Sequence, residues 1–181
     1  MNDPGGARVA VYIDFDNIVI SRYDQVHGRG QFQRDKVRGF SRGDKSPDPE
    51  LAEKVQSATV DVGAVIDFAS SFGTLVLTRA YADWSAPVNA DYRGQLVSRA
   101  VDLVQLFPAA AYAKNGADIR LAVDAVEDMF RLPDLTHVVI VAGTRTTLRS
   151  LSGAGAWAGM SWASASQDRP AGHSLRRATN W

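Results

Sequence analysis

The chain has 181 residues, with 20 Lys and Arg against 20 Asp and Glu, three His and no Cys. That excludes disulfides and thiolate metal sites, leaves oxygen or imidazole as metal donors, and removes whole-protein charge as an argument for nucleic acid. No apolar run approaches the roughly 18 residues that suggest a membrane span. The first eight residues lack the basic-then-apolar pattern of a signal peptide. The expectation is therefore one cytoplasmic domain with no membrane contact.

Residues 9–13 form a short apolar, β-branched run that ends at Asp14-Phe15-Asp16-Asn17, which predicts a buried strand stopping at a carboxylate cluster. Residues 21–49 are polar and rich in Gly, Arg and Asp, and read as a long insertion. Pro49 and Glu50 open a helix predicted to run to about residue 71, closed by Gly73. A second strand is predicted over 74–82, a helix over 92–104, and a weaker strand over 105–111. Residues 117–132 predict an amphipathic helix, with Ile119, Val123, Val126 and Phe130 as its periodic apolar set and Pro133 as its stop. Residues 136–142 predict a fourth buried strand. Strands alternating with helices imply parallel βαβ units. In such sheets ligands sit beyond the carboxyl ends of the strands. Asp14, Asp83 and Gly143 each follow a strand, so they are candidates for one shared edge.

Carboxylates at converging strand ends supply the oxygen ligands that hard divalent cations take. A pair of such ions roughly 3.5–4 Å apart can activate water and stabilise the leaving oxygen of a phosphodiester. Asp14, Asp16 and Asn17 follow the first strand, and Asp118 opens the long helix. Taken alone, Asp-x-Asp-Asn is also ordinary turn and N-cap chemistry, and Asp118 is also a favourable charge for a helix N-terminus. Asp124 lies six residues after Asp118, about 120° round the helix and 9 Å along it, so the two do not readily share one small ion. Lys114 precedes an Asn-Gly turn and is a candidate for a phosphate. The insertion interleaves Arg22, Arg29, Arg34, Lys36, Arg38, Arg42 and Lys45 with Tyr23, Phe32 and Phe40. That is the composition of a single-strand contact, with stacking rings and phosphate-neutralising cations, although a solvated surface loop is the commoner meaning of such a stretch.

The order of these pieces is specific. The run Asp14 to Asn17, then Arg79-Ala80-Tyr81-Ala82-Asp83-Trp84, then Lys114 through Asp118 to Asp124, then His137 through Gly143, resembles the NYN domain in its LabA-like branch of the PIN-fold ribonucleases. The resemblance spans roughly residues 9–143. It implies an α/β, PIN-like Rossmannoid fold with a parallel sheet flanked by helices, and RNA cleavage dependent on Mg²⁺ or Mn²⁺. It also implies Asp14, Asp118 and Asp124 as catalytic residues, with Asp14 and Asp118 on the metal. Asp16, Asn17, Arg79 and Lys114 are then the substrate-contacting set. A homodimer is among the oligomeric states it admits.

The resemblance fails at one place. It calls for Gly-Asp-Ser-Asp and an aromatic residue after the fourth strand, where this chain has Gly143-Thr144-Arg145-Thr146-Thr147. From residue 144 to the end there is no Ile, Val or Phe, while three of the four tryptophans occur there. No helix or strand period can be read in this tail. Reading its codons one base earlier permits Asp, Ser, Asp and Tyr at positions 144–147. Further on, the single codons of Trp and Met force Gly at positions 158 and 163 and Val or Glu at 161, which suit an apolar strand and its turn. The expectation is a domain over 8–143, a 21–49 insertion, and an out-of-frame, disordered tail over 144–181 that impairs activity. Two other functions are compatible with the residues. One is a non-catalytic RNA-binding or regulatory module. The other is a phosphotransferase of the HAD type, which also places Asp-x-Asp after a strand but needs a later acidic motif where Gly-Thr-Arg-Thr stands.

Overall fold

The computed structural model describes residues 6–43, 48–107, 116–143 and 160–166. Four parallel strands, β1 (Arg8–Asp14), β2 (Thr74–Ala82), β3 (Asp102–Gln105) and β4 (His137–Gly143), form a sheet. A fifth strand, β5 (Met160–Ser166), adds antiparallel to β4, giving the order β3-β2-β1-β4-β5. The central β1 is buried along nearly its whole length, as its continuous apolar run demands.

One face of the sheet carries α1 (Phe15–His27), α3 (Pro49–Ser57) and α4 (Val62–Ser70), packed on Val9, Val11, Ile13, Val139 and Val141. The other face carries α7 (Gly116–Arg131), packed on Ala10, Tyr12, Tyr81 and Val138. Short helices α2 (Gln31–Arg34), α5 (Pro87–Ala90) and α6 (Arg93–Val97) fill the connections. The parallel α/β sheet flanked by helices follows the expectation.

Four local expectations are corrected. The segment 21–49 is not an extended loop. Residues 21–27 continue α1, Asp24 accepts from the backbone N–H of Gly30 and Phe32, and Tyr23 donates to Asp35. Tyr23, Phe32, Val37 and Phe40 are all buried, so the rings read as stacking platforms belong to the core. The helix expected over 49–71 is two helices, because Asp61 takes the backbone N–H of Ala64 and starts α4 afresh as its N-cap. The helix expected over 92–104 stops at Val97, and β3 begins at Asp102, three residues earlier than the sequence suggested.

The last correction is the face of α7. Ile119, Val123, Val126 and Phe130 point away from the sheet, 63%, 56%, 48% and 84% exposed. The buried side is Leu121, Asp124, Ala125 and Asp128. Two acids lie there because the sheet offers them donors. Tyr12 Oη donates to Asp128 at 2.8 Å, Arg79 joins the same carboxylate, and Tyr81 Oη donates to Asp124 at 2.9 Å. Periodicity marked the stripe but could not say which stripe faces in. In the tail, where no period could be read, β5 pairs along all of β4.

Candidate functional site

Asp14 ends β1 and N-caps α1, its Oδ1 accepting from the backbone N–H of Asn17 at 3.4 Å. It is 3% exposed. Asn17, one turn into α1, reaches across to the end of β4 and donates from Nδ2 to the Gly143 carbonyl at 3.2 Å. β4 ends so close to α1 that a Cβ on Gly143 would stand 2.3 Å from Ser21 Oγ and 2.4 Å from the Asn17 carbonyl oxygen. Only glycine fits that approach without moving backbone. The ends of β1 and β4 are thus tied together through α1.

On the other side of β1 the same edge gathers a second group. The Asp83 N–H, just past β2, donates to Asp16 Oδ2 at 3.3 Å, and Asn89 Nδ2, 1% exposed as a residue, donates to Asp16 Oδ1 at 2.5 Å. The Asp83 carboxylate accepts from Ser85, from Gln105 Nε2 at 3.1 Å and from Arg38 at 2.9 Å. Burial pushes the Asp83 carboxyl up, but the donors Ser85, Arg38 and Gln105 outweigh it and bring it down to about 2. Arg38 also stands 3.5 Å from Asp16. Trp84 closes this corner, 5% exposed, its indole N–H on the Val104 carbonyl and its ring against Phe15.

The edge expected to unite Asp14, Asp83 and Gly143 is therefore present. Asp83, Asn89 and Arg38 form a network that the motif reading did not assemble. The signal for Asp83 was its place, immediately after β2 as the Asp14 cluster follows β1. Nothing in the sequence marked Asn89 or distinguished Arg38 from its neighbouring arginines.

The long helix is set at a defined height. Asp128 pairs with Tyr12 and Arg79, while Asp124 pairs with Tyr81 two residues further along β2. α7 therefore runs antiparallel to the strands, with its first turn towards their carboxyl ends. Asp118 lies in that turn, about 9 Å along the axis beyond Asp124. The Asp118 side chain and all of Lys114 lie outside the described residues. Asp124 and Arg79 are engaged in holding α7 to the sheet, with Arg120 also on Asp124 at 3.0 Å.

The donors meeting at this edge are oxygens, right in kind for Mg²⁺ or Mn²⁺. Among the described residues, no group of three or more His, Cys, Asp or Glu side chains is arranged to hold a metal. Asp16 and Asp83 already face the Arg38 guanidinium. A metal at this edge therefore needs Asp118 or another acid in addition to Asp14.

A family model described as "NYN domain" matches residues 8–152, which is most of the chain. No curated protein and no solved structure matches it.

Proposed function

Because the chain belongs to the NYN domain family, we propose that it is a divalent-metal-dependent ribonuclease domain of the LabA-like branch, with an incomplete acidic pocket. The family supports a nuclease or RNA-related function, and nucleases of its PIN-like class generally use divalent metals. The observation that carries the reading is the shared carboxyl edge. There Asp14 ends β1, Asn17 ties it to Gly143 of β4, and α7 directs its first turn, with Asp118, to the same side. Asp14 and Asp118 are the proposed metal ligands. The metal would supply charge stabilisation and a more acidic water. Asn17 holds the two strand ends in place, and Asp16 and Lys114 are the proposed RNA-contacting residues. Asp124 and Arg79 act by fixing the height of α7 and with it the position of Asp118.

The missing acids are proposed to lie in the reading frame abandoned after Gly143. Thr144 and Thr146 now occupy the positions of the two acids, with Arg145 between them in the sequence. The chain as written is then expected to cleave single-stranded RNA poorly or not at all with Mg²⁺ or Mn²⁺. A version with the earlier frame restored from position 144 should cleave, and Asp14→Asn or Asp118→Asn in that version should abolish cleavage. Equal rates for the two versions would remove both the frame argument and the placement of the missing acids.

One observation favours a second reading, a non-catalytic RNA-binding module. Arg38 neutralises Asp16 and Asp83 from within the fold, which lowers the negative charge a phosphate would meet. RNA binding by the chain as written, with a salt dependence and unaffected by Asp14→Asn, would support that reading over the first.

A further inference from the structure

The outer face of α7 is the most apolar exposed surface among the described residues. Ile119, Val123, Val126 and Phe130 follow one another at steps of four, three and four. That is the a/d seam of a heptad, the pattern that buries itself against another helix. The sheet cannot be that partner, because α7 already meets it with the opposite stripe of Leu121, Asp124, Ala125 and Asp128. Contiguous exposed apolar patches of this kind mark interaction sites.

We propose that this seam is the contact face of a homodimer in which the α7 helices of two copies pack antiparallel. Charge placement selects both the occupant and its direction. Arg120 and Glu127 each follow a seam residue by one position, which makes both flanking e positions, and both are well exposed. In an antiparallel pair e faces e, so Arg120 of each copy meets Glu127 of the other, twice by symmetry. In a parallel pair e faces g, and the g positions here are Ala122 and Met129, which carry no charge. The helix is thus complementary to itself in one orientation only. The same twofold sets the end of one α7, at Arg131, level with the first turn of the other, where Asp118 lies. A seam of four residues per copy is small for an interface, so the dimer dissociates on dilution.

Sedimentation velocity over a concentration series tests this on the full chain. The mass should rise from 19.6 kDa towards twice that value as concentration increases. Arg120→Glu sets Glu against Glu, and Glu127→Arg sets Arg against Arg, so each alone should weaken self-association about tenfold or more. An equimolar mixture of the two variants places every charge opposite its complement and should recover the original affinity. Val123→Glu should give a monomer with unchanged helix content. Arg120 also contacts Asp124, so if Arg120→Glu loses helix content, Glu127→Arg alone carries the test and its loss should be relieved by salt. A monomer at every concentration overturns the proposal, whether the seam is bare or covered by another segment of the chain. So does a dimer insensitive to both charge variants, or a polydisperse aggregate that neither variant changes.

Discussion

At position 83, burial and hydrogen bonding act in opposite directions on one carboxyl, and hydrogen bonding wins. An unfolded aspartate titrates near 3.8, and here the folded value is depressed to about 2. The stability this group contributes is therefore fully present above about pH 4 and lost as pH falls through about 2. Urea midpoints measured across that window should fall more steeply for the parent chain than for Asp83→Asn. Equal slopes would show that Asp83 is not held down in the folded state. Arg38→Ala removes a half-exposed cation, so its cost at neutral pH should be modest, about 1 kcal/mol. It should also move the acid transition to higher pH. The strand ends and their aspartates were legible because an apolar run followed by carboxylates is a local pattern. Arg38 was not, because its partners lie 22 and 45 positions away. One arginine among several in a polar stretch carries no mark of which carboxylate it will meet.

The helix α7 shows the same limit one level up. Its length and apolar period could be read from the sequence, but its rotation could not. Two tyrosines on the sheet make an acidic stripe the inward one, and the apolar stripe is left outside. Residues 21–49 misled for a related reason: their arginines and glycines dominate the composition, while four scattered apolar side chains decide the packing. The tyrosine contacts have a measurable signature. Burial, followed by hydrogen bonds to Asp128 and Asp124, raises the pKa of Tyr12 and Tyr81 above the ordinary 10.0. A raised folded value means the contribution is complete below about pH 10 and lost as pH rises beyond it. Alkaline unfolding, followed by circular dichroism, should therefore begin near pH 10 and be cooperative with loss of helix. Tyr81→Phe should cost about 1–2 kcal/mol at neutral pH, because it leaves a buried carboxylate short of one donor. If Tyr81→Phe matches the parent in a urea titration, the Tyr81 contact does not hold the helix.

Across the whole molecule, β5 covers the edge of β4 by returning antiparallel, with Ser166 opposite His137 at the amino end of the sheet. In the restored frame proposed above, a fifth strand running parallel to β4 would instead end at the carboxyl edge beside Asp14. The two strands would thus end at opposite edges of the sheet, about 20 Å apart for a strand of seven residues. A chain stopped after Gly143 loses this cover and exposes the backbone groups of β4. It should aggregate faster than the full chain, as light scattering would show. Equal rates would mean that β5 does not protect the edge. The corner that holds Trp84 gives the molecule a built-in light source. Replacing Trp157, Trp162 and Trp181 with Phe would leave one indole, buried on Phe15, in a residue whose backbone N–H donates to Gln105, which in turn donates to the Asp83 carboxylate. Its emission should be blue-shifted in the folded protein. Any cation or RNA phosphate that displaces Arg38 from Asp83 should register as a change in its intensity, so occupancy of the acidic edge can be followed optically without a cleavage assay.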